Sequence, residues 1–182
     1  MKKQLTIAVT GLNAIESPGP GIAVIRGLKE SPHFDVRIVG LAYENLEPGI
    51  YMRDLVDKVY QIPYPAAGCD TLLDRVWYVH QKEKLDVVIP NFDAELFGFM
   101  KAQPTLKSWG IASLLPSFEQ FEARLKGNLN KFGEDYGIKV PKSVSVFNVA
   151  EMHEALQGFE FPVVVKGKFY EAYVAYSVEQ AD

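Results

Sequence analysis

Short apolar runs alternate along the chain with stretches whose apolar residues recur three and four positions apart. The run QLTIAVT (4–10) is β-branched and apolar on both faces, the pattern of a strand buried within a parallel sheet. The loop GLNAIESPGPG follows, rich in turn-forming residues. GIAVIRGLKES then carries Ile22, Ile25 and Leu28 on one helical face. FDVRIVGLA (34–42) reads as a second strand and KVYQIP (58–63) as a short third. Asp70 or Thr71 is placed to cap a helix striped by Leu72, Leu73, Val76 and Trp77. LDVVIPNFD (85–93) is a fourth strand that runs into a loop, with Asp93 at the N-cap position of a helix bearing Leu96, Phe97 and Met100. WGIASLLPS (109–117) reads as a fifth strand. This alternation predicts an α/β fold, a Rossmann-like parallel sheet whose ligands sit beyond the carboxyl ends of its strands. Those ends are the loops at 11–21, 42–45 and 90–95.

The rhythm changes near residue 116. Ser117 and Gln120 are spaced as a capping box behind Pro116, and a second helical stretch ends at Gly137. IKVPKSVSVF (138–147) reads as a strand, and Asn148 with Glu151 forms another box before a helix that Gly158 closes. Two strands follow, 161–166 and about 171–177, joined by a short turn as a hairpin. Two helices and a hairpin do not continue a parallel sheet. The expected division is therefore 1–116, a Rossmann-like domain, and 117–182, the start of an α+β unit. The second part, about 65 residues, is near the lower limit for a stable core of its own.

Composition narrows the function classes. The 182 residues are 48% hydrophobic and 12% aromatic, enough for one sizeable core. A net charge of −4 leaves no broad basic face for a nucleic-acid backbone, so no nucleic-acid partner is expected. The single cysteine, Cys69, excludes an intramolecular disulfide and any paired-cysteine metal site. The opening MKKQLTIAVTG has an apolar run too short for a signal sequence or a membrane span. The expectation is a cytoplasmic protein with no membrane partner.

Several residues are candidates for chemistry. Gly19 and Gly21 supply the first two glycines of a dinucleotide fingerprint, but Val24 stands at the third position. The loop is read equally as a structural turn or as a ligand loop whose donors would be the amides near Gly19 and Gly21 and the side chain of Asn13. Asp93 and Glu95 either touch a substrate amine or simply favour the start of their helix. His80 falls on the apolar stripe of its helix and reads as a half-buried, hydrogen-bonded core histidine. Lys166 ends a strand of three valines. It is either an exposed strand end or a cation aimed into a cleft, where it needs an anion such as a nucleotide phosphate.

Taken together, these segments resemble the N-terminal part of an ATP-grasp enzyme, of the kind that includes biotin carboxylase and the carbamoyl phosphate synthase large chain. VVIPNFDAEL matches the end of that family's fourth pre-ATP-grasp strand, and Leu114–Ser117 matches the LLPS that leads into the next domain. GIKVP is Gly137–Pro141, and FPVVVK is Phe161–Lys166. The resemblance covers essentially the whole chain and implies that Lys126 and Lys166 contact ATP phosphates; Lys168 is read either as assisting them or as a solvated turn residue. It implies an ATP-dependent ligase that converts a carboxylate into an acyl phosphate for attack by an amine, with ATP and Mg²⁺ as cofactors of the intact parent and small carboxylate and amine substrates as its partners. The sequence departs from the family in the segment GKFYEAYVAYS, where one glycine and three tyrosines replace a glycine-rich cover. The metal-binding carboxylates of the family lie further along than residue 182, so the chain alone is expected to lack turnover. A non-catalytic nucleotide- or partner-binding module is the other open reading, and an uncovered hairpin edge would permit a homodimer.

Overall fold

The computed structural model describes residues 2–14, 18–167 and 172–181. The chain forms two compact units, Met1–Pro116 and Ser117–Asp182.

The first unit is built on four parallel strands in the order β3-β2-β1-β4: β1 (Lys3–Val9), β2 (Phe34–Ala42), β3 (Lys58–Gln61) and β4 (Val87–Ile89). β1 pairs with β2 from Lys3↔Phe34 to Val9↔Gly40 and with β4 from Ile7↔Val87 to Val9↔Ile89. Because side chains alternate along a strand, β1 sends Ala8 to one face and Ile7 and Val9 to the other. On the first face Ala8, Val39, Leu41 and Val88 pack with Leu72, Val76 and Val79 of α2 (Cys69–Glu83) and Phe99, Ala102 and Leu106 of α3 (Asp93–Ser108). On the second face Ile7, Val9 and Ile38 pack with Ile25 of α1 (Gly21–Glu30). The sheet is therefore covered by helices on both sides, which is why its strands are apolar on both faces.

Two expectations in this unit are corrected. The segment 109–117 forms no strand. It makes a single parallel bridge, Val87↔Ala112, and although Ile111 is buried in the core beside α2 and α3, Leu114 is 99% exposed, so no ladder extends past the bridge. α2 begins one to two residues before the expected caps. Gly68 precedes it at φ 93°, and the Thr71 hydroxyl donates to the Ala67 carbonyl instead of capping.

The edge of the sheet carries a pH-sensitive tie. Tyr60 on β3 donates to Glu83 Oε1 at 2.6 Å, and Arg37 on β2 donates to Glu83 Oε2 at 2.6 Å. The hydrogen bond to Glu83, helped by burial, pushes the Tyr60 phenol up to about 12. Burial alone would raise Glu83, but the bonds from Tyr60 and Arg37 outweigh it and hold the carboxyl below its ordinary value. An unfolded tyrosine ionises near 10. The bond's contribution is thus fully present below about pH 10 and is lost as pH rises through about 12. Tyr60→Phe should cost about 1 kcal/mol at pH 8, and the gap to wild type should close toward pH 12. Urea unfolding at a series of pH values measures both arms, and a gap that stays constant with pH would contradict the tie.

The second unit contains α4 (Phe118–Ala123), α5 (Leu129–Tyr136), α6 (Val149–Leu156), β5 (Val163–Lys166), β6 (Ala172–Ala175) and α7 (Val178–Ala181). Ser117 accepts from the Gln120 amide and Gln120 reaches back to the Ser117 amide, closing the expected box. Gly137 ends α5 in the left-handed region at φ 63°. Asn148 accepts from the Glu151 amide at 2.9 Å. β5 and β6 form an antiparallel hairpin, Val163↔Ala175 to Lys166↔Ala172. Residues 138–147 are not a strand. They run without a ladder partner among the described residues, and Val144 and Phe147 are 56% and 90% exposed. No helix among the described residues is long and apolar enough to cross a membrane.

Candidate functional site

Two places concentrate polar side chains, one in each unit. In the first unit, β1 lies between β2 and β4, and the chain reaches β4 from the far edge through α2. The crevice at the carboxyl ends of β1 and β4 is the switch point at which such sheets hold ligands. Glu95 closes it. The residue is 2% exposed, and its Oε1 accepts from the Thr10 hydroxyl at 2.5 Å and from the amides of Asn91 at 2.6 Å and Phe92 at 2.9 Å. The Tyr43 hydroxyl donates to Oε2. Asn91 adds two side-chain bonds at 3.0 Å to the carbonyls of Thr10 and Ile89, stapling the two strand ends together. Burial pushes the Glu95 carboxyl up, while the bonds from Thr10, Tyr43, Phe92 and Asn91 pull it down.

Of the two readings open for Glu95, this geometry favours a structural tie, since protein donors engage both carboxylate oxygens. Asp93 is the first residue of α3 and is exposed, and Phe92 rather than Asp93 occupies the N-cap position.

The glycine loop is also turned inward. The Gly19 amide donates to the Asn13 carbonyl at 3.0 Å and the Gly21 amide to the Gly11 carbonyl at 2.9 Å. A Cβ on Gly21 would lie 2.2 Å from the Thr10 carbonyl oxygen, and one on Gly19 would lie 2.5 Å from that of Gly11. Glycine is needed there so that the start of α1 can approach β1. Of the two readings open for this loop, the engaged amides and the close approach favour the structural turn. Asn13 presents a buried Oδ1 without a hydrogen-bond partner among the described residues.

Glu47 was not singled out by sequence. It is 3% exposed, and its Oε1 accepts from the Tyr43 amide at 2.6 Å, while its Oε2 is buried without a partner among the described residues. Burial pushes its carboxyl up against the bonds from the Tyr43, Glu44 and Leu12 amides. Thr10, Tyr43 and Asn91 were missed as well. The signals available for them were a hydroxyl ending a buried strand and an amide side chain directly after the VIP segment. His80 is half-buried as expected, but its Nδ1 lacks a partner among the described residues, and its ring tilts against Trp77 with centroids 5.7 Å apart.

In the second unit the structure brings Lys126 to the end of β5. Its Nζ donates to the Gly167 carbonyl at 3.3 Å, one residue past Lys166. Lys166 is exposed and opposite Ala172. Residues two apart on a strand, and residues directly opposite on its partner, share a face. Lys166 therefore shares its face with Val164 and Val174, which are 57% and 49% exposed. An apolar platform ending in cations is the result. Lys168 falls outside the described residues. Among the described residues no group of three or more His, Cys, Asp or Glu is arranged to hold a metal.

Comparison with known proteins bears on this arrangement. No family model matches the sequence, and no curated relative reaches significance. Solved structures do match. N5-carboxyaminoimidazole synthetase from Staphylococcus aureus superposes with a TM-score of 0.56 at 14% identity, over 100% of this chain and 44% of that one. The biotin carboxylase domain of Hydrogenobacter thermophilus 2-oxoglutarate carboxylase, solved with MgADP, ADP and bicarbonate, gives 0.56 at 19% identity over 100% and 39%. The chain shares the fold of part of these synthetase and carboxylase structures. The biotin carboxylase domain of a single-chain bacterial carboxylase gives 0.51 at 13% identity, over 99% and 38%. The chain thus spans about two-fifths of the length of these structures. The Rossmann-like parallel sheet expected from the sequence is the one observed.

Proposed function

We propose that this chain is the N-terminal part of an ATP-dependent ligase, one that activates a carboxylate as an acyl phosphate for attack by an amine or similar nucleophile. The observation that carries the reading is the approach of Lys126 to the end of β5, beside Lys166. The two lysines are 40 positions apart in sequence and are the two residues that the motif likeness selects for ATP phosphates. The platform of Val164 and Val174 on the face of Lys166 suits a ligand with a flat apolar part and an anionic tail. In this reading Ser117–Asp182 begins the nucleotide-binding domain and Met1–Pro116 is the pre-ATP-grasp domain. ATP with Mg²⁺ supplies the phosphoryl group. Lys126, Lys166 and Lys168 hold the phosphates and offset their negative charge, which is the protein's main contribution to phosphoryl transfer. The substrates would be a small carboxylate, bicarbonate included, and an amine, as in carbamoyl phosphate synthase.

The second reading is a nucleotide- or partner-binding module without chemistry of its own. It is favoured by the engagement of Glu95 in the first unit, which leaves that acid bonded to protein donors rather than to a substrate. Carboxylate-dependent release of ADP separates the two. The polypeptide carrying this chain, given MgATP and a panel of carboxylates that starts with bicarbonate, should release ADP only when the right acid is present. Bound ATP with no ADP release across the panel would favour the second reading.

A further inference from the structure

We propose that Glu47 is a proton-operated latch: as a neutral acid it holds the connection between β2 and β3 against the end of β1, and as a carboxylate it lets that connection loosen. Glu47 is 3% exposed and directly precedes the short helical turn Pro48–Tyr51. Its Oε1 accepts from the Tyr43 amide at 2.6 Å and from the Glu44 amide at 3.4 Å, and its own carbonyl accepts from the Ile50 amide at 3.2 Å. Two residues on, the Gly49 amide donates to the Leu12 carbonyl at 2.9 Å, and a Cβ on Gly49 would lie 2.7 Å from that oxygen. The connection is thus seated on the backbone just past β1, with Glu47 at its root.

The unpaired atom is Oε2. It is buried without a partner among the described residues, and so is the Oδ1 of Asn13, next to Leu12 in the chain. The neighbourhood holds more acceptors than donors. A buried carboxylate has to be paired or neutralised, and no cation pairs with Glu47 among the described residues. The charged neighbour that acts on it is Glu44, of the same sign. The other groups packed against the turn, Leu12 and Ile22 of α1, carry no charge. Burial, with a smaller push from Glu44, raises the carboxyl against the amide bonds from Tyr43, Glu44 and Leu12. One proton on Oε2 removes the charge and turns a surplus acceptor into a donor; as pH rises that proton leaves to solvent. Tyr43, whose amide bonds Glu47, gives its hydroxyl to Glu95, so a loosened latch reaches the crevice at the strand ends. The latch rests on the first unit alone and stands whether or not the lysines of the second unit bind ATP.

An unfolded glutamate ionises near 4.3. Because the folded value is raised, the contribution of the neutral acid is full below about pH 4.3 and is lost as pH rises through the folded value. Glu47→Gln keeps an oxygen for the Tyr43 amide, places an NH₂ at Oε2 and cannot ionise. Its unfolding temperature minus that of wild type, followed by indole emission, should increase by about 4 °C from pH 4.5 to pH 8. In wild type the hydrogen-exchange protection of the Gly49 amide, corrected for the intrinsic pH dependence of exchange, should fall about tenfold over the same range. A temperature difference that stays level with pH would overturn the proposal. One that shrinks with rising pH would overturn it too, since a bound cation would then be pairing with the ionised carboxylate. Should the glutamine variant not fold, level protection of Gly49 in wild type would suffice to reject the latch.

Discussion

Glu95→Ala is expected to destabilise the first unit by about 4 kcal/mol, the largest stability effect of any single substitution considered for it. The carboxylate is the shared acceptor for two hydroxyls, those of Thr10 and Tyr43, and two amides, those of Asn91 and Phe92. Alanine leaves buried donors without an acceptor, at about 1–3 kcal/mol each when nothing replaces the bond. The Asn91 amide keeps the Thr10 hydroxyl oxygen at 2.8 Å, so the costs do not simply add. Glu95→Gln keeps the volume but turns an NH₂ toward donors, and about half the loss is expected. Urea unfolding followed by indole emission measures this directly, because both tryptophans belong to the first unit. A loss below about 1 kcal/mol for the alanine variant would mean that water replaces the carboxylate and that the crevice is open.

Lys166→Ala carries the largest expected effect on function. Removing a charge-assisted contact to a phosphate should weaken ATP binding at least about tenfold, or about 1.4 kcal/mol. Lys126→Ala should weaken it comparably and should also free the Gly167 carbonyl that Lys126 now holds. Neither side chain is buried, so both variants should keep the circular dichroism of wild type. Equilibrium dialysis with labelled ATP gives the affinities. Wild-type affinity in Lys166→Ala would remove this lysine from the site.

The first unit was legible in sequence because its signals are dense. Strands β1 and β2 are long, apolar on both faces and bounded by turn residues, and each lies where its pattern put it. The capping box at Ser117 and the cap at Asn148 are local chemistry and also read correctly, although the Glu151 carboxylate accepts from the Phe147 amide rather than from that of Asn148. Failures came where a strand needs a distant partner. Residues 109–117 and 138–147 have strand-like composition, but pairing is a tertiary fact, and the first makes one bridge while the second makes no ladder among the described residues.

The site shows the same split. The glycine pattern at Gly19 and Gly21 was visible, yet its purpose depends on how closely α1 approaches Thr10 and Gly11, which no local motif encodes. The tie through Glu95 joins Thr10, Tyr43 and Asn91 from distant parts of the chain and could not be read from spacing. Lys126 and Lys166 were selected by motif order, and the fold brings the first to the end of the strand that carries the second.

The central claim is that these two lysines face a common phosphate-bearing ligand. The most direct test is a nuclear magnetic resonance titration of the chain with ATP, following the side-chain Cε signals of ¹³C-labelled lysines assigned by substitution. The account predicts that the signals of Lys126 and Lys166 move together and saturate along one binding curve, while those of lysines in the first unit, such as Lys3 and Lys107, stay in place. Signals that remain still at saturating ATP, or that drift alike for every lysine with ionic strength, would contradict it.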